Sequence, residues 1–354
     1  MGAKEFSAVV GPALQRLSEV VPGATAAIGV GGDEQNYLVF SLDSSGATRC
    51  RSASFDTPRP ITEEELIVGE IGSRCRALFA DSLPPNLAWT FFTLGGEAHA
   101  NGLVALASPR PLDGEERESV RRLCDRLGAA LAQVRLVRQL DAMNDGMLKT
   151  LAMIVDASSH WTAGHSERVS EYAVLIGERM GLPGLELDTL RRGALLHDLG
   201  KVGIPAGILD KIGVLSERER RLVERHTVIG AEILSPLAAF ADLIPIVRSH
   251  HERWDGSGYP DGLCGEEIPL LARIVAVADV FDALVSERPY RPGLSVQTTV
   301  AMMRSEAGVK LDRMVVEAFL HVLNEGAVEV VAGSWRESTM VGGHLRLTAL
   351  EVLP

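Results

Sequence analysis

The sequence predicts an α+β domain with an antiparallel sheet, joined by a long helix to an all-helical domain. Three observations predict it. Five short runs (ATAAIGV, NYLVFSL, ATRCRSAS, WTFFTL and ANGLVALAS) carry strand patterning between turn residues. From Gly114 a helical pattern continues without turn residues to about residue 143. Between 147 and 324 there is helical periodicity and no strand-like alternation.

In order along the chain, Phe6, Val9, Val10, Leu14, Leu17 and Val20 recur at helical spacing and stop at Pro22-Gly23, a helix followed by a breaker. Leu38, Phe40 and Leu42 alternate with Val39 and Ser41, the period of a half-buried strand. The run EEELIVGEIGSRCRALF interrupts the strands as a helix with Leu66, Ile67, Ile71 and Leu78 on one stripe. Cys75 and His99 are the residues in this half that invite a cofactor, and ordinary packed or surface roles suit them better, so no bound ligand is expected. In the helix from 114, Val120, Leu123, Leu127, Ala130, Val134 and Val137 are spaced by threes and fours, the seam of a dimeric coiled coil. A single amphipathic helix packed on its own sheet is the alternative. Asn144-Asp145-Gly146 reads as a break. The expected domains are therefore 1–140 with the closing helix 114–143, then 147–330, then a β-like tail over 331–354.

In the second domain Ser166 can cap the helix whose apolar face is Val169, Tyr172, Ala173, Ile176 and Met180. Asp188 begins the next helix, and Ser216 with Glu219 forms a capping box before His226.

A net charge of −12 and a pI near 5.3 argue against broad binding to nucleic acid or to anionic membranes, which need a basic surface. The four cysteines have no C-x-x-C spacing and read as reduced thiols. The N-terminus lacks a long apolar core, and no apolar run reaches about 18 residues, so a cytoplasmic chain that does not span a membrane is expected.

The chemistry gathers on histidines and aspartates. The apolar run Leu243, Ile244, Ile246 and Val247 leads into His250-His251 and a loop of Gly, Asp and Pro that contains Trp254 and Tyr259. Such a pair alone also fits a solvated helix end. His197-Asp198 with Lys201, and His165, His226 and Asp279, all lie in segments of helical periodicity that can aim into one pocket. Buried His and Asp without partners are costly, and a metal makes such a set tolerable. Mixed imidazole and carboxylate donors suit iron, manganese or zinc. Asp198 has two oxygens and can bridge two ions.

From about His165 to Pro292 the chain resembles an HD-GYP domain, the branch of the HD metal-dependent phosphohydrolases whose members hydrolyse cyclic di-GMP. The resemblance rests on His165, His197-Asp198 with Gly200-Lys201, His226, His250-His251, Asp255 to Pro260, Asp279, and Arg288-Pro289-Tyr290-Arg291. It implies two divalent ions per chain, iron or manganese first, with zinc, nickel, magnesium or calcium as alternatives. One ion would take His165, His197, Asp198 and Asp279, and the other Asp198, His226, His250 and His251. Lys201 would donate to a phosphate oxygen or hold the hydroxide, Arg288 and Arg291 would clamp the second phosphate, Tyr259 would shape the pocket or touch a base, and Asp282 would orient a ligand or lysine. Trp161 stands where members with a third metal have Glu, which favours two ions. The implied activity is hydrolysis of cyclic di-GMP to linear pGpG and on to GMP. Cyclic GMP-AMP is the alternative substrate, and a weakly catalytic scaffold that docks diguanylate cyclase domains through the loop Gly256 to Pro260 is the alternative class. The N-terminal order of elements resembles a GAF-type sensor, with PAS-like as the runner-up, and a homodimer would couple sensor to site.

Overall fold

A computed structural model of the chain describes residues 3–31, 36–42, 45–54, 70–94, 102–157, 164–211, 213–286 and 293–325. It divides into two units, Met1–Ala142 and Met143–Pro354.

In the first unit α1 (Ala3–Val20) buries Phe6, Val10, Leu14 and Leu17 against a five-stranded antiparallel sheet. The strands β1 (Thr25–Gly31), β2 (Asn36–Leu42), β3 (Thr48–Ser54), β4 (Ala88–Leu94) and β5 (Gly102–Ser108) fall on the five runs and lie in the order β3-β2-β1-β5-β4. Ile28 of β1 sits opposite Phe40 of β2 and Val104 of β5. All three face α1, whereas Ala27, Val39 and Leu103 face α2 (Glu70–Phe79) on the other side. This corrects the half-buried reading of 38–42, because Val39 and Phe40 are both buried and β2 is covered on each face. Cys75 is packed in the α2 layer, and burial pushes its thiol up to about 12. The upstream part of the second predicted helix, 63–69, and His99 lie outside the described residues.

The helix α3 (Gly114–Asp156) corrects two expectations. Val120 and Leu127, with Cys124 and Leu131, are buried against α1 and the sheet, and Leu123 and Val134 pack against the same core. Four of the six seam positions are therefore taken by the domain's own interior. Nor does Asn144-Asp145-Gly146 interrupt the helix. A helical Gly costs about 1 kcal/mol, but Leu148, Ala152 and Val155 just beyond it are at most 3% exposed. Burying side chains of the size of Leu and Val contributes about 1.5–3 kcal/mol each, so tertiary packing outweighs the local preference. Asp145 also pairs with Arg191 at 2.7 Å. Elsewhere on α3, Leu136, Val137, Leu140, Met143, Met147, Leu151, Met153 and Ile154 are exposed.

The described part of the second unit continues with α4 (His165–Arg179), α5 (Gly184–Leu196), α6 (Glu217–Glu224), α7 (His226–Leu234), α8 (Ile244–Ser249), α9 (Leu270–Val285), α10 (Val296–Glu306) and α11 (Arg313–Asn324), with short helical turns such as Leu199–Gly203 between them. Among the described residues it contains no strand, only an isolated bridge between Ala307 and Leu311. Edge-to-face contacts of Tyr172 with Phe281 (5.3 Å) and of Phe281 with Phe319 (4.7 Å) mark one core. A second core gathers Leu148, Val155, Leu196, Leu199, Leu234, Leu243 and Val247. The Ser216–Glu219 capping box forms. Two boundaries move: α5 begins at Gly184 rather than Asp188, and Ser166 lies inside α4, whose N-cap is Gly164. The tail 331–354 lies outside the described residues. No described helix is long and apolar enough to cross a membrane.

Candidate metal centre

Most of the predicted ligands sit where helices begin or end. His165 opens α4 after Gly164, whose left-handed φ of 68° a glycine adopts without strain. His197 closes α5, and Asp198 follows outside the helix at φ −94°, ψ 6°. His226 opens α7 immediately after α6 ends at Glu224 and Arg225. His250 closes α8 and His251 follows it. Asp279 projects from the middle of α9. A chain that turns at each of these points can aim a side chain inward without spending a whole helix face on polar groups.

The structure brings all seven together in two groups: Asp198, His226, His250 and His251; and His165, His197 and Asp279. Asp198 touches both. Its Oδ2 lies 3.3 Å from His197 Nε2 and 3.8 Å from His165 Nε2, whereas its Oδ1 lies 3.4 Å from His226 Nε2. Asp279 Oδ1 is 3.3 Å from His165 Nε2.

Hydrogen bonds around the cluster fix the imidazoles. His197, His226 and His250 donate Nδ1–H to the carbonyls of Ala194, Val223 and Val247, at 2.7, 2.7 and 2.8 Å. His165 donates Nδ1–H to Asp282 Oδ2 at 2.7 Å. At His197, His226 and His250 the bond leaves the Nε2 lone pair pointing into the cluster, the form that binds a metal, and at His165 it turns Nε2 toward Asp279. His226 Nε2 and His250 Nε2 then face each other at 3.3 Å, a repulsive pairing of two lone pairs unless a cation lies beside them. His197 Nε2 and Asp198 Oδ1 are buried without a hydrogen-bond partner among the described residues. Orphaned buried donors of mixed nitrogen and oxygen character fit a borderline divalent ion.

The electrostatics differ between the two groups. Burial opposes the charged form of His165, but hydrogen bonds to Asp279 and Asp282 outweigh it and hold the imidazole up to about 10. In the other group burial wins: His250 is held well below its ordinary value, and burial brings His251 down to about 3. Burial would raise the Asp198 carboxyl, yet Lys201 and His197 hold it well below the usual range.

Four residues apart, His197 and Lys201 would share one face of a continuous helix. Instead α5 ends, Leu199–Gly203 forms a 3-10 turn, and Lys201 Nζ donates to Asp198 Oδ2. The Tyr259 ring stands 4.9 Å from that of His251. Asp282 accepts from Arg168 Nε at 2.6 Å and Nη2 at 2.9 Å besides His165, so it holds the back of that ring. Arg288, Arg291 and Trp161 lie outside the described residues.

Three participants went unread in the sequence: Arg168, Asp156 and Glu252. Glu252 is buried and accepts the backbone N–H groups of Asp261, Gly262 and Leu263 at 2.7 to 3.1 Å, which shapes the loop after the histidine pair. Asp156 accepts from Ser166. Its signal was available, since it follows Leu148, Ala152 and Val155 on one helix face and a carboxylate at the end of an apolar face needs a partner.

Comparison with known proteins places this geometry. Residues 149–315 match the family model described as HD domain. A 3'3'-cGAMP-specific phosphodiesterase of Vibrio cholerae is 39% identical over 217 residues, 61% of this chain and 46% of that protein. A cyclic di-GMP phosphodiesterase response regulator of Xanthomonas campestris is 41% identical over 191 residues, 52% of this chain and 50% of the relative. A cyclic di-GMP phosphodiesterase of Thermotoga maritima is 41% identical over 183 residues, 51% and 49% respectively. The chain thus spans about half the length of the curated relatives it matches. All seven residues of the cluster fall inside the matched segment, and residues 149–315 are accordingly similar to the HD domain in sequence and carry a helical His/Asp site.

Proposed function

We propose that the chain is a phosphodiesterase of the HD-GYP type that linearises a cyclic dinucleotide, cyclic di-GMP first, with a pair of divalent ions, iron or manganese, in the cluster. The observation that carries this reading is Asp198, a buried carboxylate with one oxygen toward His165 and His197 and the other toward His226. Two ions bound there would supply a hydroxide nucleophile and stabilise charge on the entering and leaving oxygens at phosphorus. The residues of the chain do the rest. Asp198 holds both halves at one spacing, and Asp282 and the helix carbonyls keep Nε2 of His165, His197, His226 and His250 turned inward. Lys201, on Asp198 and partly exposed, meets a phosphate oxygen, and Tyr259 bounds the pocket on the His251 side. Arg288 and Arg291 clamp the second phosphate. The relatives' names support the substrate class, and the Vibrio match favours 3'3'-cGAMP as the second reading.

The test is metal analysis of anaerobically purified protein with product analysis on both dinucleotides. Metal near two equivalents and linear product are expected; a metal-free chain that still hydrolyses either substrate overturns the proposal. Lys201→Ala is expected to keep both metals and lose about 10²- to 10³-fold in kcat, the scale of removing one charge-stabilising donor. Metal loss in that variant would assign Lys201 to the ion site instead.

The first unit is read as a GAF-like sensor, supported by its antiparallel sheet with helices on both faces. The homodimer moves from the seam at Val120–Val137 to the exposed residues Met143, Met147 and Ile154, which are 53 to 57% exposed and follow heptad spacing. Met147→Glu should convert dimer to monomer in sedimentation, and an unchanged dimer would exclude this face.

A further inference from the structure

We infer that Asp156 is a positioning residue: it holds the first turn of α4, and through it His165, at the setting that metal binding requires. The inference rests on the reading of His165 as a metal ligand. A helix normally satisfies its first amides with the side chain of its N-cap residue. Here the N-cap is Gly164, which has no side chain to offer, and the helix opens directly on His165. The missing acceptor comes from another helix. Asp156, the last residue of α3, takes the Ser166 N–H on Oδ2 at 3.2 Å and the Ser166 hydroxyl on Oδ1 at 2.8 Å.

Two features make this more than a cap. First, both carboxylate oxygens engage the same residue, which restricts the turn against rotation as well as translation, and that residue adjoins His165 in sequence. Second, Asp156 is itself fixed: it is 5% exposed, and Leu148, Ala152 and Val155 on the preceding turns are buried. The ring of His165 is held from the opposite side by Asp282. His165 is thereby set by two anchors, its backbone by the end of α3 and its imidazole by α9. Movement of the last turn of α3 would act on His165 directly through the two Asp156–Ser166 bonds, so the His165–His197–Asp279 group is open to control from that helix.

The test compares the full chain with Asp156→Ala, Ser166→Ala and Ser216→Ala by titrating metal-depleted protein with Mn²⁺ and measuring kcat and KM on the reloaded protein. Ser216→Ala removes a cap of similar kind outside the cluster and controls for lost helix stability. Asp156→Ala is expected to weaken one class of Mn²⁺ sites 10- to 100-fold, the usual cost of losing a group that orients a ligand. The other class should stay in place, and kcat should fall with KM unchanged. Ser166→Ala, which keeps the backbone N–H, should shift the same class by less, and it serves as the folded variant if Asp156→Ala does not accumulate. If both cluster variants bind Mn²⁺ like the parent and lose only thermal stability, as Ser216→Ala does, the inference is overturned. Failure of the functional reading looks different: His165→Ala would then leave Mn²⁺ binding of the parent unchanged.

Discussion

Asp198→Ala is expected to abolish hydrolysis, by at least about 10³-fold on the scale set by loss of a charge-stabilising group, and to empty both halves of the cluster of metal. The reason is geometric. The carboxylate is 3% exposed, and its two oxygens lie 3.3 to 3.8 Å from nitrogens of three different imidazoles. No neighbouring acid can substitute, because Asp279 approaches His165 from one side and Asp282 is already engaged by His165 and Arg168. The variant also strips Lys201 of its carboxylate partner. Asp198→Asn keeps the shape but loses the charge and one acceptor, so it should retain fold while losing metal. Metal analysis decides the matter: one equivalent fully retained with activity intact would end the bridging assignment.

Gly200→Ala should do comparable damage by another route. A Cβ at Gly200 would lie 1.8 Å from the His226 carbonyl oxygen and 2.5 Å from the Gly230 nitrogen. Both obstacles are backbone, so the turn Leu199–Gly203 and α7 would have to separate. Overpacking a tight interior costs about 1–3 kcal/mol and sometimes more, and an unyielding backbone belongs at the upper end. For a unit of this size about 3 kcal/mol corresponds to a fall in Tm of roughly 6–12 °C. Asp198 and His226 lie on the two elements being forced apart, so metal should be lost as well. Gly207→Ala, where an added Cβ meets nothing within 4 Å, is the control. An unchanged Tm and metal content for Gly200→Ala would show that the two elements do not approach so closely.

The cluster was legible because its residue types are expensive to bury. His197, His226 and His250, each at most 1% exposed, make sense in helical segments only with a shared partner. The strands were legible because each apolar run ends at turn residues within a position or two of the observed ends. What escaped was information that periodicity does not contain. The spacing of Val120 to Val134 reveals an apolar face but not what covers it, and α1 and the sheet do. At Asn144-Asp145-Gly146 local propensity pointed to a break, and burial of Leu148, Ala152 and Val155 overrode it. Glu252 looked like any other acid, because its partners lie 9 to 11 residues away in sequence.

The last fourteen residues of α3 bear on how the protein can be dissected. Residues 143–156 share a core with Leu196, Leu199, Leu234, Leu243 and Val247, which flank or support the residues that carry His197, Asp198, His226 and His250. A fragment begun at residue 157, just before the histidine-bearing helices, would leave that apolar wall bare and invite aggregation. One begun at Met143 would carry its own cover and should be the shorter piece that stays soluble.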